Sequence, residues 1–340
     1  MENFINLLFG DGGIERTLNG IVWGIPAMVI ILGTGIYLSI RCGFPQFTHF
    51  GHIMKNTAGK ALQKTEAKEG SVSPFKAMCT ALAASIGTGN IAGVSGAIAI
   101  GGPGAVFWMW ISALLGMCTK FAEVTLSIRY RQRNEKGDWV GGPMYYIEHG
   151  LGKKAKFLAV IFAIFGMFAS FGIGNMTQIN TIASTVNTAI HNFVPTTDGQ
   201  QHTIALVIGI VAAIIAFIVL VGGIERIADV CALLVPVMAI LYIIASFGVI
   251  FAEAGRIPEA FSAIFKGAFN PGSVAGGLAG VGIKTAITKG VGRGIFSNEA
   301  GLGSAPIAHA AADVNHPVKQ GIYGVFEVFM DTIVVCTMTA

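Results

Sequence analysis

Charged side chains are scarce in this chain, at 12% of 340 residues, against roughly a quarter in a soluble globular domain. So thin a charge excludes a molecule whose whole surface meets water. Cysteine is scarce as well. Cys42, Cys79, Cys118, Cys231 and Cys336 stand alone without a C-x-x-C pair, which argues against a disulfide framework or a thiolate zinc site and leaves them as small apolar filler. A cleavable leader is not expected either: the first apolar run, Ile21 to Ile40, follows Glu2, Asp11 and Glu15 with only Arg16 basic, the wrong flank for a signal peptide. That run is expected to be a retained helix.

Apolar residues fill the remainder, at 53% of the chain. They gather near 21–40, 75–100, 105–128, 157–190, 204–221, 230–252, 275–311 and 320–340. Runs of about 20 residues are what a helix needs to cross ~30 Å of hydrocarbon, so an all-α, polytopic membrane protein is expected, without a separate soluble domain. The 46 glycines suit close helix packing and broken helices in lipid.

The basic residues fix an orientation. With the N-terminus outside, the inner segments hold Arg41, Lys55, Lys60, Lys64, Lys68 and Lys76, then Arg129, Arg131, Arg133, Lys136, Lys153, Lys154 and Lys156, then Arg226 and Lys319. The outer segments hold only Arg16, Arg256 and Lys266. The positive-inside bias therefore favours this topology, and it explains the net charge of +4 without nucleic acid. The segment 45–74 is too polar to cross and is expected at the interface, with Pro74 suited to an early helix position. Residues 253–273 are expected to form a partly amphipathic outer connection.

Two spans carry polar, glycine-rich interruptions. Ala83-Ala84-Ser85-Ile86-Gly87-Thr88-Gly89-Asn90-Ile91-Ala92-Gly93 lies in the middle of an apolar run. Such a helix breaks easily, and freed backbone groups persist at membrane depth only where protein or a ligand meets them. Freed carbonyls then attract cations, and freed amides at a half-helix N-terminus attract carboxylates. Close packing is the competing explanation, but Asn90 would cost a few kcal/mol without a partner. A nucleotide loop is disfavoured because no strand precedes Gly87. The second interruption is Lys289-Gly290-Val291-Gly292-Arg293-Gly294-Ile295-Phe296-Ser297-Asn298-Glu299-Ala300-Gly301-Leu302-Gly303-Ser304, five spans later and of opposite direction. This is the relation expected of inverted repeats: an extra helix at 21–40, a first repeat over 75–252, and a second starting at 275 and running to 340.

Other buried polar residues leave alternatives open. Lys120 and Glu123, at i, i+3, are expected to neutralise each other, and Arg293 with Glu299 to form a gate or brace. Asn175, Gln178 and Asn180 suit either the central site or helix pairing. Glu327 and Asp331, one turn apart and followed by Thr332, Cys336 and Thr337, suit either a hard-cation site or helix pairing. His49 and His52 lack the carboxylates or cysteines that a metal site would need.

The segments Gly87-Thr88-Gly89-Asn90-Ile91-Ala92-Gly93, Gly141-Gly142-Pro143-Met144-Tyr145-Tyr146 and Ser297-Asn298-Glu299-Ala300-Gly301-Leu302-Gly303-Ser304-Ala305-Pro306 resemble the alanine/glycine:cation symporter family. The resemblance extends from the first helix to Ala340. It implies a LeuT-type fold of ten core helices in two inverted five-helix repeats, and symport of alanine or glycine with sodium across a bacterial or archaeal inner membrane. It also implies that core helices eight to ten lie outside this chain. By the same resemblance, Gly87, Thr88 and Gly89 face the substrate carboxylate, and Asn90 links substrate and sodium. Gln178 lies near the amino acid, and Phe296 and Ser297 present oxygens to the ammonium group, with Phe296 also bounding the pocket. Carbonyls of Ala83, Ser85 and Ile86 stand where sodium ligands are expected. Sodium is the coupling ion so implied, with no cofactor, transition metal or obligate protein partner.

A channel would be expected to show a filter ring and subunit symmetry. An intramembrane enzyme would need a nucleophile with a base, or paired metal ligands, and neither is present in the pattern. A carrier is the favoured expectation. Alanine against glycine or serine, and sodium against proton, stay open at this level.

Overall fold

The structure, a computed structural model, describes residues 13–14, 17–18, 20, 23–60, 67–269 and 282–340. The part of the first run at 21–22 and the start of the run at 275–311 fall outside the described residues. Among those described, seven helices are long and apolar enough to cross a membrane, which makes the chain a multi-pass, all-α membrane protein.

The first is α1 (Ile25–Cys42), opened by Pro26 and closed by Gly43 in the left-handed region. After the short helices Pro45–Thr48 and Phe50–Asn56 comes α2 (Pro74–Ser85). The Ser73 hydroxyl caps α2 by accepting the Lys76 N–H at 3.3 Å, and Pro74 lies in its first turn, as the sequence predicts. Then follow α3 (Thr88–Gly101) and the long α4 (Gly104–Tyr130). A small hairpin, β1 (Gln132–Arg133) and β2 (Trp139–Val140), leads to α5 (Pro143–Leu151).

The apolar run at 157–190 is longer than one span needs. α6 (Lys156–Phe171) passes through a π-helical turn, Gly172–Met176, into α7 (Thr177–Phe193). The 38 residues from 156 to 193 reach about 57 Å at 1.5 Å per residue, well beyond the hydrocarbon thickness. Next are α8 (Asp198–Val221), α9 (Gly223–Ala252) and the amphipathic α10 (Ile257–Phe269). α11 (Ile283–Asn298) and α12 (Ser304–His309) are the described helices of the 275–311 run. The last is α13 (Pro317–Val328), which continues as a π-helical stretch, Phe329–Cys336, and a final turn, Thr337–Thr339.

α4 is the central post. α11 lies against it through Gly290 and Gly294, where an added Cβ would collide with the Ala105 carbonyl and the Ser112 hydroxyl. α13 lies against it through Gly321 and Gly324, facing Thr125, Phe121 and Lys120. Small residues at such spacing let helix backbones approach closely, which is how packing holds helices together where lipid supplies no hydrophobic drive. Apolar side chains of α2, α4 and α13, among them Met78, Leu82, Met117 and Val325, fill the core between. By contrast, α8 buries none of its residues, as suits a helix whose surroundings are as apolar as its side chains.

The loops segregate to two ends. At the end richer in basic residues, Val72 bridges to Ala312, its N–H donating to the Ala311 carbonyl at 2.9 Å and its carbonyl accepting from Asp313 at 2.7 Å. Arg131 donates to the carbonyls of Ala310, Ala312 and Val314 at 2.9, 2.5 and 3.3 Å and stacks on Trp139, 4.1 Å from the ring centre. At the opposite end, α10 packs on the start of α4, where Phe107 meets Phe265 and Phe269 and the Trp108 indole donates to the Ala268 carbonyl at 3.3 Å.

Candidate functional site

The first break lies where the glycines predict it. The helical ladder of α2 stops with the Ile86 N–H on the Leu82 carbonyl at 2.8 Å. Ile86 is extended (ψ 106°) and Gly87 is more so (φ −168°, ψ −143°). The Gly87 N–H, which would have continued the ladder to the Ala83 carbonyl, donates instead to Asn90 Oδ1 at 2.8 Å. The break therefore frees carbonyls at the end of α2 and opens α3 with amides that have no partner within the helix.

The second break is displaced from its predicted centre. Lys289 to Ser297 lie in unbroken helix, and α11 ends only at Asn298. Glu299 is then left-handed (φ 54°), as are Gly301 (φ 92°) and Gly303 (φ 83°), before α12 begins. The turn is held from within and from outside: Asn298 Oδ1 accepts the Ala300 N–H, and Glu123 Oε2 accepts the Gly301 N–H, both at 3.0 Å. Phe296 and Ser297 consequently occupy the last helical turn, not the loop.

Asn90 joins the two breaks. It is fully buried, and its Nδ2 lies within hydrogen-bonding distance of Ser297 Oγ (3.0 Å), Asp331 Oδ1 (2.6 Å), the Asp331 carbonyl (3.2 Å) and Cys336 Sγ (3.4 Å). That is more acceptors than two amide hydrogens can serve. The network runs on through Thr332, which donates to Asp331 Oδ2 at 2.7 Å and accepts from Asn298 Nδ2 at 3.1 Å. Thr339 closes it by donating to the Asn90 carbonyl at 2.7 Å.

Asp331 is the member for which the sequence left a hard-cation site and helix pairing both open. It is 0% exposed, and among the described residues no basic side chain stands within ion-pair distance of it. A buried carboxylate held only by neutral donors is costly. Its carboxylate and the Ser297 and Thr332 hydroxyls beside it are oxygens of the kind a hard cation prefers, with Cys336 Sγ adjoining them 3.4 Å from Ser297 Oγ. Cys336 and Asp331 are five residues apart and reach the same asparagine because the chain there is π-helical; in an α-helix that spacing points away. Such π segments recur at functional sites. The other one, Gly172–Met176, immediately precedes Gln178.

Gln178 faces the first break. A Cβ on Gly87 would stand 3.2 Å from its Nε2, whereas Asn175 and Asn180 are exposed. Thr88 and Gly89 are half-buried in the first turn of α3, and Ser85 and Ile86 are buried at the end of α2. Ser85 Oγ donates to the Ala81 carbonyl at 3.4 Å. Ala83 is exposed on α2, and its carbonyl is the one that the Gly87 N–H leaves free by turning to Asn90. Phe296 packs on Trp23, ring centres 6.0 Å apart, and lies under the Arg293 guanidinium at 5.1 Å.

Two expected pairs are replaced. Lys120 is not neutralised by Glu123: its Nζ is 3.2 Å from Glu327 Oε1 on α13, an ion pair by distance without hydrogen-bond geometry. Glu327 Oε2 also meets His309 Nε2 at 3.1 Å, and His309 Nδ1 meets Gln320 Nε2 at 2.8 Å. The i, i+3 partner turns to the second break because α13, packed on Lys120, supplies a closer carboxylate. Likewise Glu299 accepts from the Ser304 hydroxyl, and Arg293 makes no ion pair among the described residues. The two acidic residues of the last helix thus separate, Glu327 to helix pairing and Asp331 to the site.

The family model described as the sodium:alanine symporter family matches residues 13–340. "Sodium/alanine symporter AgcS" of Methanococcus maripaludis is 47% identical over 331 residues, 96% of this chain and 69% of that protein. "Putative sodium/proton-dependent alanine carrier protein YrbD" of Bacillus subtilis is 42% identical over 324 residues, covering 95% and 62% respectively. "Probable sodium/glutamine symporter GlnT" of the same organism is 39% identical over 323 residues, covering 95% and 63%. The chain spans about two thirds of the length of these relatives.

Proposed function

Since the chain belongs to the sodium:alanine symporter family, a family of transporters, we propose that it takes part in the import of a small neutral amino acid, alanine or glycine, driven by sodium. The observation that carries this reading is Asn90, which ties the broken end of α3 to Ser297 of α11 and to the buried Asp331. A site shared by substrate and cation needs such a link, because each solute must change the environment of the other.

In this reading the substrate carboxylate meets the amides that open α3 at Thr88 and Gly89, where the helix dipole favours negative charge. The ammonium group meets freed carbonyls and the side chains of Gln178 and Ser297, and Phe296 bounds the apolar side. Sodium takes oxygens from Asp331, Ser297 and the freed end of α2 at Ser85 and Ile86. Asp331 joins the Ala83 carbonyl, also freed at that end, as a further oxygen ligand. The fold we infer is LeuT-type, with inverted repeats starting at the two broken helices, the extra α1 in front and the N-terminus outside an inner membrane. Alternating access then rocks one group of helices against another around a fixed site.

Asp331 also favours a second reading, in which a proton is the coupling ion, since a buried carboxylate with neutral partners can carry one. Labelled alanine uptake by the full-length protein in proteoliposomes separates the two. Saturable accumulation under an inward sodium gradient, absent in potassium, supports the first. Accumulation under a proton gradient alone supports the second. No uptake of alanine or glycine by a folded protein discards both.

A further inference from the structure

Arg293 is a cation at membrane depth for which neither reading has a use. Its side chain is half-buried on α11, one turn before Ser297. Among the described residues no carboxylate pairs with it and no oxygen accepts a hydrogen bond from it; the Phe296 ring lies 5.1 Å away. Charged residues within membrane proteins face the interior and carry partners, or mark the path of a substrate.

The position of the guanidinium indicates the chemistry it suits. It lies on α3 in a seat made by two glycines: a Cβ on Gly93 would fall onto Nη1, Cζ and Nε, and one on Gly89 would stand 3.7 Å from Nη1. Nη1 therefore points along α3 toward its first turn, where the amides of Thr88 and Gly89 lack helical partners. On its other side, the ring of Phe296, itself backed by Trp23, holds the guanidinium in place by cation–π contact. A guanidinium fork beside free helix N-terminal amides is complementary to one group above all, a carboxylate.

We propose that Arg293 is the carboxylate-recognising residue of the site, so that the transporter selects solutes with a free α-carboxylate and rejects amines and amides of the same shape. This rests on the amino-acid reading above and assigns the selectivity within it. It also gives Gly89 and Gly93 of the glycine-rich segment a role distinct from breaking the helix: they leave room for the guanidinium to lie flat.

The test compares alanine with alaninamide, which keeps the ammonium and methyl groups and loses the carboxylate, by competition against labelled alanine in the full-length protein. The wild type is expected to prefer alanine strongly. Arg293→Gln should weaken alanine by about tenfold or more while leaving alaninamide little changed, so that the ratio collapses. Arg293→Lys, which keeps charge without the fork, should fall between. Gly93→Ala displaces the flexible guanidinium without altering its charge and should lower the ratio in the same direction, which serves if Arg293→Gln does not fold. A wild-type alanine-to-alaninamide ratio in Arg293→Gln, or in Gly93→Ala where that is the variant that folds, overturns the proposal while leaving amino-acid transport intact. A wild type that binds neither compound removes the underlying reading and this inference with it.

Discussion

Asn90→Ala is the substitution whose consequences the structure specifies most fully. Truncation strips the Gly87 N–H of its acceptor at 2.8 Å and removes from Asp331 Oδ1 its donor at 2.6 Å. The Gly87 N–H loses its side-chain acceptor, and Asp331 is left to the hydroxyls of Thr332 and Ser297. A buried neutral donor left unpaired costs about 1–3 kcal/mol, and a charged acceptor more, so the combined effect is about 3–5 kcal/mol. A loss of about 3 kcal/mol in the bound state weakens binding more than a hundredfold at 1.4 kcal/mol per factor of ten. Alanine binding to the purified full-length protein, titrated at several sodium concentrations, measures this. The affinities for alanine and for sodium should fall together, since one side chain serves both. Thermal unfolding of the same sample separates loss of the site from loss of the fold. A variant that unfolds like wild type and keeps both affinities would remove Asn90 from the site.

Further outcomes are expected elsewhere. Lys120→Met leaves Glu327 buried beside His309 without its ion-pair partner and should destabilise by about 3–5 kcal/mol; adding Glu327→Leu should restore much of the melting temperature, and no restoration would refute the pairing. Asp331→Asn keeps the volume and removes the charge, so the sodium dependence of uptake should shift to much higher concentration, whereas an unchanged sodium curve would take Asp331 off the cation path. Arg131→Ala removes the three carbonyl contacts that hold 310–314, and amide exchange there should quicken while the broken-helix segment 86–90 keeps its protection. Gly294→Leu should push α11 off α4 at Ser112 and lower the melting temperature by several degrees, and a wild-type melting curve would contradict the glycine seam.

What the sequence determined by itself is what depends on short stretches of chain. Apolar runs of bilayer length made the chain a polytopic membrane protein, because lipid acts on each helix separately. Pro74 marked the start of α2, because the fixed proline φ acts within one turn. Gly87 followed by Asn90 marked the first break, because a helix that loses its ladder bond needs a nearby side chain to replace it, and Asn90 is three residues away.

Only the tertiary structure decided which polar groups meet. Lys120 had a carboxylate at i+3 and yet pairs with Glu327, 207 residues on, because packing of α13 against α4 at Gly321 and Gly324 brings that carboxylate nearer. Phe296 and Ser297 sit in helix because the left-handed residues that end α11 begin at Glu299, a residue type that does not announce positive φ. Asp331 and Cys336 converge on Asn90 because the last helix widens to π winding, which no α-helical spacing reveals. A side chain's direction depends on local winding and on the neighbour that fills the space beside it, and both are set by helices hundreds of residues apart coming together.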